Sequence, residues 1–258
     1  MLGAIAGDMI GSVYEFNNRR RKDFPLFTAE TTFTDDTILS VAVADVLLNG
    51  GSYAQAFKDY YWRYPNPSGS YGARFHQWAA SPSLTPYNSW GNGSAMRVSP
   101  VGFAAETLAD ALTQAEATAA VTHNHPEGIK GAQATAAAIF LGRQGKSKAA
   151  IREYVSQTFG YDLQRTVDEI RPVYTFNESC QGTVPEAIIA FLDAADFEDA
   201  IRNAVSLGGD SDTLTCITGG IAHGFYGTIP DILRQPVWER LDPPLREIVE
   251  KFCDRYGC

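Results

Sequence analysis

Two short acidic segments, far apart in the chain, hold the residues best suited to chemistry. One is Phe33-Thr34-Asp35-Asp36-Thr37, which runs into the apolar stretch 38–48; the other is Gly208-Gly209-Asp210-Ser211-Asp212-Thr213, which runs into 214–225. In each, paired aspartates with threonine oxygens beside them stand where a helix should begin. A helix N-terminus favours negative charge, because its unpaired N–H groups and the macrodipole point there. A cap needs one side-chain oxygen, so two carboxylates exceed the structural requirement. If the two segments meet in space, they build an all-oxygen cage for a hard divalent cation such as Mg2+.

Further groups add to this. The turn Trp90-Gly91-Asn92-Gly93-Ser94-Ala95-Met96-Arg97 offers an Asn-Gly bend and small residues that let a ligand approach backbone N–H groups. A helix starting at Ser94 would aim those donors at phosphate oxygens. Arg97 is open to two readings, a phosphate partner or half of a buried ion pair. In Thr122-His123-Asn124-His125-Pro126-Glu127, the His-x-His spacing could be half of a zinc site, but no third nitrogen or sulfur ligand is suitably spaced. His125, just before Pro126, reads as the organiser of a helix start. Asp8 fits ligation or structural hydrogen bonding equally well.

Taken in order, Gly3-Ala4-Ile5-Ala6-Gly7-Asp8, Gly11 to Glu15, Thr34 to Thr37, Asn92 to Arg97, Thr122-His123 and Gly208 to Thr213 resemble the motifs of the ADP-ribosylglycohydrolase family. The resemblance implies an all-α, compact helical bundle and a binuclear Mg2+ centre in which Mn2+ can substitute. It implies Asp35 and Asp36 on one ion, Asp210 on the other and Asp212 between them. Thr34 and Thr213 would add neutral oxygens, and Glu15 would stand near the second ion. Asn92, Gly93, Ser94, Ala95 and Met96 would cradle the pyrophosphate of ADP-ribose, with His123 beside the distal ribose.

The reaction so implied is hydrolysis at C1″ of ADP-ribose carried by a protein or a small conjugate. A carboxylate must accept the proton of the attacking water, and Asp36 and Glu15 are the candidates. A non-catalytic ADP-ribose-binding module is the competing reading, although every acidic motif position is filled. Asp210-Ser211-Asp212 also resembles the Asp-x-Asp of aspartate-nucleophile phosphatases, but those need an apolar strand where this chain has Gly208-Gly209. An EF-hand fails at Leu214, where its loop needs an acid or amide.

The elements that must position these groups read as helices. Segments 107–121, 127–141, 147–159, 184–195 and 197–207 carry helix formers and periodic apolar faces. Gly142 and Gly208-Gly209 stand where stop glycines would. Residues 172–176 are ambiguous, and clear β alternation is missing. The span 60–90, with Pro65, Pro67, Pro82 and Pro86, is poor in helix signals; its aromatics suggest an ordered wall of the cleft.

Composition sets the outer bounds. At 258 residues and 45% hydrophobic, residues 1–258 suit one domain with a sizeable core. A net charge of −9 disfavours nucleic acid. The basic run Arg19-Arg20-Arg21-Lys22 reads as a solvated loop or a patch that steers an anion. No apolar stretch is long enough for a membrane span, and the first residues lack the basic region of a secretory signal. Four cysteines without zinc spacing then suggest reduced thiols in the cytoplasm.

Overall fold

The computed structural model describes residues 1–258 throughout. The chain forms fifteen helices and no strand, as expected of an all-α protein. They are α1 (Leu2–Ser12), α2 (Asp35–Asn49), α3 (Tyr53–Arg63), α4 (Ala73–Ala80), α5 (Gly93–Met96), α6 (Ser99–Ala104), α7 (Leu108–Ala120) and α8 (Pro126–Arg143). There follow α9 (Lys148–Phe159), α10 (Val167–Ile170), α11 (Cys180–Leu192), α12 (Phe197–Leu207), α13 (Ser211–Tyr226), α14 (Asp231–Arg240) and α15 (Pro243–Tyr256). No helix is long and apolar enough to cross a membrane.

Many starts are set by side-chain caps. Thr34, Thr107, Ser147, Ser179 and Asp196 each accept a backbone N–H from the first turn of the helix they open. Each such cap contributes about 1 kcal/mol.

The centre of the fold is α13, buried from Ser211 to Gly224. A helix buried on every side must pack close to its neighbours, and small residues permit this. Cβ atoms added at Gly3, Gly7 and Gly11 would lie 2.4, 1.9 and 2.4 Å from backbone oxygens of α13. One helical face of α1 is therefore seated directly on α13. Thr215 Oγ1 of α13 donates to the Gly7 carbonyl at 2.7 Å, and Thr218 Oγ1 donates to that of Ala187 in α11 at 2.9 Å.

Three expectations need correction. Gly142 does not stop α8: it lies inside the helix, where a Cβ would be 3.0 Å from the Phe225 backbone. It is there for close packing on α13, and the left-handed residue past the end is Gly145, φ +71°. The 60–90 span holds the end of α3 and all of α4. Finally, the 19–22 run, solvent-exposed at Arg20 and Arg21 as a solvated loop would be, is nonetheless tied down, and it does not line the cleft. Arg20 binds the carbonyls of Arg171, Leu207 and Tyr174, and Lys22 pairs with Asp199, so the run staples its loop to α12 and the segment before α11.

Candidate active site

A cleft of about 810 Å3 opens between the start of α2, the start of α13, the α5 turn and the 69–75 segment. Its walls include Glu15, Asp35, Asp36, Asp210, Asp212 and Thr213, with Asn92, Gly93, Met96, Arg97 and His123. The two acidic segments do meet. Glu15, just past α1, stands with Asp210 and Asp212 so that one carboxylate oxygen of each lies within 4.8 Å of the others. Asp35 and Asp36 face the same cleft outside that trio, and Thr213 Oγ1 reaches Asp36 Oδ1 at 3.5 Å.

The local structure explains why these acids are not caps. Thr34 caps α2 through the Asp36 N–H at 3.2 Å, leaving both aspartates of the first turn without that task. Asp210 holds the cap position of α13 but makes no side-chain cap bond. Its Oδ2 accepts instead from the Asn92 amide at 2.7 Å, which also donates to Thr183 Oγ1 at 3.1 Å.

Asp8 takes the structural role. Fully buried, it accepts from the N–H and hydroxyl of Thr34, at 3.0 and 2.6 Å, and from those of Thr37, at 3.1 and 2.5 Å. It braces the start of α2 against α1. Thr34 itself does not line the cleft, since its hydroxyl is engaged by Asp8 and the Asp36 N–H.

Electrostatics set the acidic residues apart. Burial, followed by repulsion from neighbouring acids, pushes Asp35, Asp36 and Asp212 well above the usual carboxylate range. Partly exposed Glu15 is pushed up to about 7, again by burial first and then by Asp210. Crowded carboxylates of this kind call for positive charge. Asp36 Oδ2 is buried without any partner. The orphaned Asp36 Oδ2, an all-oxygen donor set and the spacing of the trio fit a hard divalent cation.

The α5 turn is more constrained than expected. The Ala95 and Met96 N–H groups donate to the Asn92 carbonyl at 2.8 and 3.0 Å, and the Asn92 N–H donates to the Glu178 carbonyl at 2.7 Å. The Gly93 and Ser94 amides make no such bond. Ser94 Oγ turns away to the Gly128 carbonyl at 2.7 Å, and neither Ser94 nor Ala95 lines the cleft. His123 does, with Nε2 against Gly91 and Gly93. His125 caps α8 through the Glu127 N–H at 3.1 Å, as expected. Arg97 forms no ion pair: it is fully buried, with its guanidinium 4.3 Å from the Phe57 ring centroid.

Sequence reasoning passed over several wall residues. Arg74 and Glu178 are exposed single charges, and Phe16 and Phe176 are exposed aromatics at the rim, whereas Trp90 lines the cleft as the aromatic span suggested. None of those passed over belongs to a pattern. Gly69 at φ +77° was the readable signal, because a Cβ there would be 3.3 Å from Glu15 Oε2.

An all-helical scaffold that gathers carboxylates from both halves of the chain beside a glycine turn defines the class of site. The ADP-ribosylglycohydrolase family profile matches residues 1–257. ADP-ribosylhydrolase ARH3 of Bos taurus is 26% identical over 309 residues, covering 88% of this chain and 84% of the relative. ADP-ribosylarginine hydrolase Tri1 of Pseudomonas putida is 25% identical over 296 residues, covering 99% and 77%. A solved ADP-ribosylglycohydrolase-related protein complex superimposes with a TM-score of 0.70 at 26% identity, covering 97% of this chain and 94% of that one. The chain belongs to the ADP-ribosylglycohydrolase family of hydrolases.

Proposed function

We propose that the protein is a Mg2+-dependent ADP-ribosylhydrolase that cleaves the C1″ glycosidic bond of ADP-ribose in an ADP-ribosylated protein or small conjugate. The observation that carries this is the acidic cluster lying in one cleft with the Gly93 turn and His123, within a chain of this family. Glu15, Asp210, Asp212, Asp35, Asp36 and Thr213 would hold two divalent ions, which when bound would orient the distal ribose and acidify a nearby water.

The chain's own groups do the rest. The Gly93 amide is the donor of the α5 turn left facing the cleft for a pyrophosphate oxygen, and Gly93 leaves room for it. Cleavage passes through an oxocarbenium-like state, which the surrounding carboxylates stabilise. One carboxylate accepts the proton of the attacking water: Asp36, whose Oδ2 has no protein partner, is the first candidate, and Glu15, alone in its trio in being partly exposed and so able to pass a proton to solvent, is the second. Residues 1–258 act as one catalytic domain in this reading.

Incubation with arginine-, serine- and O-acetyl-linked ADP-ribose, with Mg2+ or with chelator, tests the reading. Release of free ADP-ribose only with the cation is the expected result. Stable binding of all three without turnover would make the protein a binding module. Calorimetry adds a check on the pose: ADP, lacking the distal ribose, should bind more weakly than ADP-ribose when Mg2+ is present.

A further inference from the structure

Arg97 is a buried charge with no counterion. It has no accessible surface, and its Nε and Nη1 find no partner. Nη2 carries its bonds, to the Thr118 carbonyl at 3.2 Å and to Thr122 Oγ1 at 2.7 Å. The same hydroxyl oxygen lies 2.8 Å from His123 Nδ1. A guanidinium can only donate, so Arg97 occupies one lone pair of that oxygen and leaves the hydroxyl proton to point elsewhere. The Tyr87 phenol, kept protonated by burial, also reaches this hydroxyl and can donate to its second lone pair, which leaves Nδ1 as the acceptor for the Thr122 proton. A ring that accepts at Nδ1 and is neutral must carry its proton on Nε2, the nitrogen beside Gly91 and Gly93 at the cleft wall.

We propose that Arg97 is a positioning residue, acting through Thr122 to fix His123 as the neutral ring whose Nε2–H is a donor to an oxygen of the bound ligand. The ligand half of this rests on the ADP-ribose reading above; the relay itself does not. Arg97 lies at the back of the cleft wall with no solvent-accessible surface, and its bonds go to Thr118 and Thr122, so its influence on a ligand runs through Thr122 and His123. The groups facing the imidazole agree with a neutral ring. Arg97 and Arg74 are both cationic, the Tyr87 ring lies 5.8 Å away, and burial followed by these two charges holds the His123 pKa well below its usual value.

Nitrogen-15 NMR of the free protein tests the relay, with the four histidines told apart by a His123→Gln control. At neutral pH, His123 should show an unprotonated Nδ1 and a proton on Nε2. Thr122→Val, which keeps shape and loses the hydroxyl, should mix the two tautomers, and Thr122→Ser should restore one. Arg97→Met should raise the pH at which His123 titrates by about one unit or more. If it fails to fold, the threonine pair carries the test alone. A protonated Nδ1 in the parent protein, or a Thr122→Val spectrum identical to the parent, overturns the relay. Calorimetry then reads the ligand half: Thr122→Val should bind ADP-ribose about tenfold more weakly, as loss of one oriented donor implies. Unchanged affinity removes the role toward ligand. A parent protein that ignores ADP-ribose altogether counts against the functional reading, while the spectra still decide the relay.

Discussion

Asn92 shows how much a single residue can tie together. Its side-chain amide holds Asp210, its carbonyl receives the Ala95 and Met96 amides, and its own N–H reaches Glu178. Orientation of a carboxylate by an outer hydrogen bond is worth roughly 10- to 100-fold in metal affinity. Asn92→Ala should therefore weaken Mn2+ and ADP-ribose binding together, by about tenfold each, in calorimetry with each ligand alone. Loss of ADP-ribose affinity alone would mean that the residue serves only the turn. Asp212→Asn and Glu15→Gln test the neighbouring acids. Each removes a charge from a crowded group, so the metal-free melting temperature should hold or rise while hydrolysis falls at least about a hundredfold. A large drop in melting temperature with activity retained would identify them as structural.

At the scale of elements, the site depends on how closely α1 sits on α13. Glu15 leaves α1 and Asp210 and Asp212 open α13, so a shift between the two helices would pull the trio apart. Gly7→Ala puts a methyl group 1.9 Å from the Thr215 carbonyl oxygen, a backbone atom that cannot swing aside. We expect about 3 kcal/mol of destabilisation, at the upper end for overpacking, with cation affinity reduced in the fraction that stays folded. Denaturant unfolding and Mn2+ titration measure the two effects. Exposed Gly72 is the control for the first: with nothing near its Cβ, it should accept alanine without loss of stability.

Much of this layer was readable beforehand. The capped starts at Thr107, Ser147 and Asp196 follow from local chemistry, and so does the meeting of Thr34 to Thr37 with Gly208 to Thr213 once the family motifs are recognised. What stayed hidden depends on partners distant in sequence. Gly142 looks like a stop until Phe225 is seen against it, and α11 begins at Cys180 because Ser179 caps it, with Pro185 a full turn inside. The side chains of Asn92 and Ser94 look alike as ligand contacts, yet one binds Asp210 and the other a main-chain carbonyl of α8.

For the molecule as a whole, the acidic cluster sets a pH dependence. Asp35, Asp36, Asp212 and Glu15 all have folded-state pKa values above their unfolded ones, Glu15 at about 7. Through these four groups the folded state binds more protons than the unfolded state in that window, outnumbering the two buried histidines, His123 and His223, whose lowered values act the other way, so stability without metal falls as pH rises from the ordinary carboxylate range through neutrality. Chelated protein should melt at lower temperature at about pH 8 than at about pH 5, and added Mg2+ should raise the melting temperature more at the higher pH. A metal-free melting temperature that is flat or climbs over this interval would contradict the charge crowding described above.

The bond from Thr215 to Gly7 spans 208 residues. During synthesis the first helix leaves the ribosome long before its partner exists, with its glycine face, Asp8 and Glu15 waiting for a surface still to be made. Contacts of such long range close slowly, and the interval exposes an apolar helix of the kind chaperones hold. The cluster of Glu15, Asp210 and Asp212 cannot assemble until translation has passed residue 212. Nascent chains that stop just short of it carry an incomplete trio, so under the proposed function cation capture would mark the moment when the two halves of the fold have found each other.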